Sequence, residues 1–259
     1  PTGGSMILAG VLLKLGAFGF IRLVLSLFPA ESARFSGWLA LLATLSIIFG
    51  AFSATAQKDF KRLVAYSSIN HMGFVILGIA AAAWAGGQQD PELNKSAVIA
   101  LNGAVLQMFN HGLSAAGMFF LVGVIYDRLH TRKFADYGGL YAILPVYGSI
   151  LIFTSMASLG LPGLNGFVSE FMIVRGTWPI FTLYTALSMI GLLFTAVYVL
   201  KAIKLTLHGP LNERWAGKVS DIQSRELWVI VPLMILILVI GIWPSWLVNL
   251  INQTVLIWY

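Results

Sequence analysis

Four ionisable side chains stand inside apolar runs where lipid-buried helices would carry none: Lys14, His71, His111 and Glu170. Lys14 sits in Gly10-Val-Leu-Leu-Lys-Leu-Gly16, about ten residues and so about 15 Å into its run. A lone lysine at that depth of a bilayer costs at least about 2.5–3.5 kcal/mol, so it is expected to face a bundle interior and to find water or a carboxylate there. Balanced between low-dielectric surroundings and a neighbouring charge, such an amine can load and release a proton near neutral pH. The plainer use is a structural ion pair or a snorkelling lysine, and mid-bilayer depth makes snorkelling awkward.

His71, in Ser67-Ser68-Ile69-Asn70-His71, and His111, in Gln107-Met108-Phe109-Asn110-His111, lie at similar depths in two other runs. Imidazole titrates near neutrality and both donates and accepts hydrogen bonds, which suits a proton relay. A single histidine would more readily be a polar bridge between helices. Two at one depth, each preceded by asparagine with serine nearby, favour the relay. No second histidine, cysteine or carboxylate stands at metal-ligand spacing from either, so no metal is expected. Glu170, in Gly166-Phe167-Val168-Ser169-Glu170, would be costly if ionised and unpaired, and needs a proton or a nearby cation. A half-helix end with Arg175 as partner is its plainer setting. Tyr66, Ser67, Ser68 and Thr154 have the chemistry to order water between these groups, but equally that of ordinary helix-packing contacts.

The elements that must hold these groups are helices in a membrane. Of the 259 residues, 58% are hydrophobic and 10% charged, too few charges for the surface of a soluble domain of this length. Seven apolar segments, approximately 5–28, 36–56, 61–83, 96–126, 142–176, 178–207 and 225–250, are long enough to cross about 30 Å of hydrocarbon. The fourth and sixth are over-long, which predicts tilt or extension beyond the lipid. The fifth is interrupted by Gly160, Pro162 and Gly163, with Gly166 following, and reads as two half-helices around a break. Exposed backbone of that kind is tolerable only against protein or a wet cavity, so the break marks a pathway. The fold class is therefore all-α, a polytopic transmembrane bundle with one discontinuous helix, and 1–259 reads as a single membrane domain.

Positive charge alternates along the loops. Lys58, Lys61 and Arg62, then Arg128, Arg132 and Lys133, then Arg214, Lys218 and Arg225 share one side, with Lys201 and Lys204 leading into the last group. The intervening loops hold little beyond Arg34, Lys95 and Arg175, and Gln88 to Glu92 is mildly acidic. The basic loops thus face the cytoplasm or its equivalent, with the C-terminus opposite. Trp38, Trp84, Trp178, Trp228, Trp243 and Trp246 fall near segment ends, as an interfacial belt would. The net charge of +6 is scattered among short loops, which points to a lipid bilayer with anionic headgroups and away from nucleic acid. Without cysteine the chain can hold no disulfide, cysteine-ligated iron–sulfur cluster or c-type haem, and it carries no glycine fingerprint for a dinucleotide.

These residues resemble a known family. The stretch from Pro1-Thr-Gly-Gly-Ser5 to Lys14, Asp59-Phe-Lys-Arg-Leu-Val-Ala-Tyr-Ser-Ser-Ile-Asn-His71 and His111-Gly-Leu-Ser-Ala-Ala-Gly117 look like the antiporter-like membrane subunits of respiratory complex I. Arg128-Leu-His-Thr-Arg132 and the run from Gly160 to Phe171 narrow the resemblance to the M-type branch of the bacterial NADH:quinone oxidoreductase. The resemblance covers essentially the whole chain. It implies spans eight to fourteen of a fourteen-span fold, with 36–207 as the second of two inverted five-helix repeats.

It further implies that Lys14 is the central lysine between two half-channels, that His71 and His111 are relay histidines, and that Glu170 is the outlet-side group on the broken helix. Subunits of the L and N types and the Mrp antiporters carry lysine there, so glutamate favours the M type. The family's glutamate–lysine pair of the first half-channel would lie upstream of Pro1, which makes a C-terminal fragment the expectation.

The implied activity is proton translocation coupled to electron transfer from NADH to quinone. Protons are expected to run from Lys14 through His71 and His111 to Glu170. No redox chemistry and no cofactor are expected in this chain: NAD, FMN, iron–sulfur clusters and quinone would belong to partner subunits, and its neighbours would be L- and N-type subunits in a bacterial inner membrane or an equivalent one. An Mrp-type cation/proton antiporter or the membrane subunit of a membrane-bound hydrogenase is the alternative.

Overall fold

Prolines and short polar caps decide where the helices begin. Pro29, Pro91 and Pro145 each stand in the first turn of a helix, where the missing N–H costs nothing. Asp59 accepts from the Arg62 amide at 2.9 Å, and Asp90 from Glu92 and Leu93, so each carboxylate caps a helix start. The computed structural model describes residues 2–88 and 90–256. Pro1, which opens the first motif, Gln89, in the acidic loop, and 257–259, at the end of the expected single domain, lie outside the described residues.

The helices are α1 (Thr2–Leu25), α2 (Pro29–Ala56), α3 (Phe60–Gly86), α4 (Pro91–Leu129), α5 (Pro145–Leu159), α6 (Asn165–Thr177), α7 (Thr182–Leu207), α8 (Ser224–Ile242) and α9 (Ser245–Val255). Six of them, α1 to α4, α7 and α8, are long and apolar enough to span a bilayer, and α5 with α6 supplies the broken crossing. Among the described residues there is no strand; a single bridge joins Asp59 to Lys133.

The structure departs from the expected segments in two places. The first run is not a uniform α-helix, because Leu8–Leu12 and Phe20–Leu25 are π-helical turns on either side of the α-helical stretch bearing Lys14. The last does not continue to residue 250: α8 stops at Ile242, and Pro244, which cannot donate to the preceding turn, redirects the chain into α9. Nineteen residues still give α8 about 28 Å, enough for the hydrocarbon.

The long α4, 39 residues, is the axis of the bundle. It packs against α1, α3, α5, α6, α8 and α9, while α2 packs on α3 and α7. Contact is close because glycines face backbone: a Cβ at Gly103 would stand 2.8 Å from the Ile173 nitrogen, and one at Gly176 would run into the Ala100 amide. Small residues at a crossing let helix backbones approach, which is how helices gain van der Waals energy when lipid competes for apolar surface. Gly176→Ala should therefore lower stability by about 1–3 kcal/mol, read as a lower Tm of the detergent-solubilised protein. An unchanged Tm would mean that α4 and α6 are not in contact there.

The basic end is tied together by polar contacts. Arg128 holds Glu226 through two bonds at 2.7 and 2.9 Å. Asp221 accepts from the Val146 and Tyr147 amides and so caps α5. Lys201 donates to the Thr55 and Gln57 carbonyls at the C-terminal end of α2. Trp178, Trp228, Trp243 and Trp246 are exposed at or near helix ends; Trp38, expected at a segment end, is exposed more than two turns inside α2, which begins at Pro29, and Trp84 is half-buried against Phe181.

Candidate functional site

Four helices converge on the middle of the bundle, and each contributes one of the ionisable groups. His71 on α3, His111 on α4 and Glu170 on α6 are buried; Lys14 on α1 is partly so. Lys14 Nζ lies 2.7 Å from His111 Nδ1 and also donates to the Ala9 carbonyl in the π-helical turn before it. The His111 and His71 rings are 5.2 Å apart between centroids, tilted by 44°. His71 Nδ1 lies 2.8 Å from Glu170 Oε1. All four expected residues thus come together in one line.

The order of the line differs from the expected one. His111, not His71, stands beside the lysine, and His71 is the partner of the carboxylate. Lys14 accordingly meets an imidazole where water or a carboxylate was expected. Arg175 is exposed on the far turn of α6, and Glu170 pairs with His71 instead.

The break in the fifth crossing shapes the carboxylate's pocket. Residues 160–164 separate α5 from α6, and Gly160 and Gly163 take φ of +81° and +93°, a left-handed conformation that suits glycine. A Cβ on Gly160 would stand 3.0 Å from Glu170 Oε2, so the bare glycine also leaves room for the carboxylate. Pro162 lies in the turn, while Gly166 stands in the first turn of α6, where a Cβ would meet the Ala157 carbonyl.

Asparagines brace the opened backbone. Asn110 donates to the Asn165 carbonyl at 2.7 Å and to Ser169 Oγ at 2.9 Å, and Asn165 donates back to the Asn110 carbonyl at 3.2 Å. This reciprocal contact fastens the start of α6 to α4. The asparagines preceding the two histidines therefore position helices; Asn70 does so by donating to Thr195 and to Tyr198 on α7.

Two contacts of the line were not foreseen. Gln107 donates to Glu170 Oε1 at 3.0 Å, and Tyr198 OH lies 3.3 Å from His71 Nε2. Gln107 precedes His111 by one helical turn and so shares its face, a spacing readable in the sequence. Tyr198 gave no signal, since Ala196-Val197-Tyr198-Val199-Leu200 is otherwise apolar. Of the hydroxyl residues noted in the sequence, Ser68 and Thr154 are buried and donate to carbonyls one turn back, and Tyr66 is exposed.

Chemically, the two hydrogen-bonded pairs can each share a proton, while the two histidines between them are in ring contact without a direct hydrogen bond. At 2.7 Å an ammonium donates to a neutral imidazole, or an imidazole N–H to a neutral amine; at 2.8 Å imidazolium and carboxylate exchange a proton without changing the net charge of the pair. Buried oxygens of Asn70, Asn110 and Asn165 have no partner within the protein, and offer acceptors beside the line. Among the described residues, no three histidine, cysteine or acidic side chains stand together as a metal site would need.

Tyr198→Phe removes the hydroxyl from His71 and Asn70 while keeping the ring. The expected result is a modest loss of stability, about 0.5–1.5 kcal/mol, read as a lower Tm of the detergent-solubilised protein. An unchanged Tm would mean that the hydroxyl does not hold His71 and Asn70 in place.

Comparison with known proteins bears on both fold and sequence. The profile of the family described as NADH:quinone oxidoreductase/Mrp antiporter, TM, matches residues 1–197. The chain is 41% identical over 245 residues to NADH-quinone oxidoreductase subunit M of Pseudomonas aeruginosa, covering 95% of this chain and 45% of that protein. It is 38% identical over 255 residues to the subunit M of Rhodobacter capsulatus, covering 98% and 47%. It therefore spans about half the length of the curated relatives it matches.

Among solved structures, respiratory complex I from Thermus thermophilus with bound NADH superposes with a TM-score of 0.83 at 28% identity, over 95% of this chain and 49% of that one. The Mrp complex from Dietzia sp. superposes at 0.85 over 98% of this chain and 53% of that one; at 14% identity the likeness is one of fold. Because the profile spans most of its length and the bundle superposes on a complex I chain, this integral membrane protein belongs to the NADH:quinone oxidoreductase/Mrp antiporter transmembrane family.

Proposed function

We propose that this chain is part of a proton-translocating membrane subunit of an NADH:quinone oxidoreductase in a bacterial inner membrane. The observation that carries the reading is the buried line from Lys14 through His111 and His71 to Glu170, with a 2.7 Å contact at one end and a 2.8 Å contact at the other. Ionisable groups within spans are expensive, and a line of them facing the bundle interior is the arrangement a proton path requires. Relatives named subunit M support the M-type assignment, as does glutamate at position 170. In this reading NAD, FMN, iron–sulfur clusters and quinone are held by other subunits, the neighbours are L- and N-type subunits, and 36–207 is the second inverted repeat.

The mechanism is electrostatic. A charge change in an adjoining subunit alters the proton occupancy of Lys14; His111 takes up or returns that proton, and His71 shares the next with Glu170. Between charges a few ångströms apart in a low-dielectric interior, interactions of several kcal/mol are available to drive each transfer.

His111→Ala, placed in the complete protein within the assembled enzyme, cuts the line at its centre. Protons translocated per NADH oxidised should fall in reconstituted vesicles while the complex still assembles. A wild-type ratio would overturn the proposal. An Mrp-type reading instead requires sodium-dependent proton exchange in the absence of NADH.

A further inference from the structure

We propose that the basic end of the bundle binds an anionic phospholipid, its phosphate among Lys61, Arg62 and Arg132 and one acyl chain in the groove between α1, α3 and α4. The site is separate from the proton line and does not depend on it.

The groove follows from two helix faces. Lys61, Arg62, Ala65 and Ser68 recur at the spacing of one face of α3, and Ser5, Leu8, Ala9, Leu12 and Leu13 do so on α1. Both helices enter from the basic end: α3 begins there, and a Cβ at Gly123, near the end of α4, would stand 3.2 Å from Thr2 Cγ2. Phe119 of α4 closes the space between them. The groove encloses about 510 Å³, within the range of pockets that hold small organic ligands, about 300–1,000 Å³.

Polar and apolar groups separate along this groove as they do along a phospholipid. The cations stand at its mouth, Lys61 and Arg62 in the first turn of α3 and Arg132 in the loop after α4. Below them the walls are chiefly leucine, alanine and phenylalanine, and Leu8, Leu12 and Leu13 are exposed. Ser68, at the inner end, spends its hydroxyl proton on the Val64 carbonyl. From Lys61 to Ser68 is about 10 Å of helix rise, against about 15 Å for the hydrocarbon of one leaflet. An acyl chain entering below the cations therefore runs against protein for most of its leaflet.

The positive charge at the mouth is unspent. Among the described residues neither Lys61 nor Arg62 has an ion-pair partner. Asp59, the acidic neighbour, accepts from the Arg62 amide on Oδ1, and its Oδ2 is 3.8 Å from Arg132 Nε, too far for a hydrogen bond. Arg62 also lines an adjoining cleft with Lys58, Lys133 and Lys201. Cations between spans on the basic-loop side are where anionic headgroups collect. A free phosphate would leave the apolar walls unused, and a zwitterionic headgroup would add a cation to a site that already holds three.

The test places the complete protein, within its complex, in phosphatidylcholine vesicles. Trace phosphatidylglycerol or phosphatidylcholine is added, each with the same diazirine-bearing acyl chain, and after illumination the labelled peptides are mapped by mass. Labelling of residues 5–13 and 61–68, relative to the exposed Leu42 and Phe49 of α2, should be several-fold higher with phosphatidylglycerol. Lys61→Gln combined with Arg62→Gln should remove that preference. Leu12→Trp, which fills the groove, should remove the labelling of 61–68.

Equal enrichment with both lipids would make the groove ordinary bilayer contact and overturn the site. Absence of label from both stretches would mean that protein fills the groove, and would overturn it too. So would displacement of the label by inorganic phosphate, which marks a free-anion site, or a preference that survives loss of both charges. The comparison of the two lipids on the unaltered protein decides the matter even if a variant fails to assemble.

Discussion

Glu170→Gln should abolish the proton transfer assigned to this chain while leaving its fold intact. The amide keeps the size of the carboxylate and can still accept from His71 and Gln107, the two donors on Oε1. It cannot take up a proton near neutral pH. A group that donates and accepts protons contributes about 10²–10⁴-fold to a transfer step, and in a line of single groups no parallel route compensates its loss. Proton translocation coupled to NADH oxidation should therefore fall sharply, with Tm and complex assembly unchanged. Glu170→Asp keeps the chemistry but draws the carboxylate back by one methylene from a 2.8 Å contact, so a milder defect is expected. Wild-type translocation in the glutamine variant would end the role assigned to Glu170.

Lys14→Ala attacks the other end. It removes the amine that faces His111 Nδ1 at 2.7 Å and leaves a buried imidazole without that partner, a loss of about 1–3 kcal/mol. Two consequences should appear together: a lower Tm, and loss of the proton that His111 would receive. Lys14→Arg separates them. Guanidinium supplies the positive charge and the donors but does not deprotonate in proteins, so it should restore much of the stability and only part of the translocation. Alanine is thus expected to be the more damaging of the two. If both variants retained the wild-type ratio of protons to NADH, the central transfer would have to pass through other residues.

These two results probe opposite ends of the proposed path, and the fold explains why the four groups meet at this point. α6 begins inside the bundle because the fifth crossing is broken, which brings Glu170, five residues from the start of α6, into the buried middle beside α3 and α4. A continuous helix would have no opened backbone for Asn110 and Asn165 to brace. The break is therefore part of the candidate site, held by Asn110, which precedes His111, and by Asn165 at the start of α6.

The number of crossings, the gathering of the basic loops at one end, the break at Gly160 to Gly163 and the four ionisable residues were all legible in the amino-acid sequence. Each is a local property: hydropathy fixes the length of a span, glycine and proline interrupt a helix wherever they fall, and an ionisable side chain in lipid is costly in any neighbourhood. Pro244 was equally visible, and the turn into α9 was missed because apolar composition outweighed it.

The order Lys14, His111, His71, Glu170 and the partners that Gln107 and Tyr198 find in that line were decided by tertiary structure. Sequence sets the depth of a residue along its helix, whereas rotation about the helix axis and the choice of neighbour follow from how backbones close on each other. At Gly73, Gly103 and Gly176 the absent side chains let those crossings form, and the crossings decide which histidine meets the lysine and which the carboxylate.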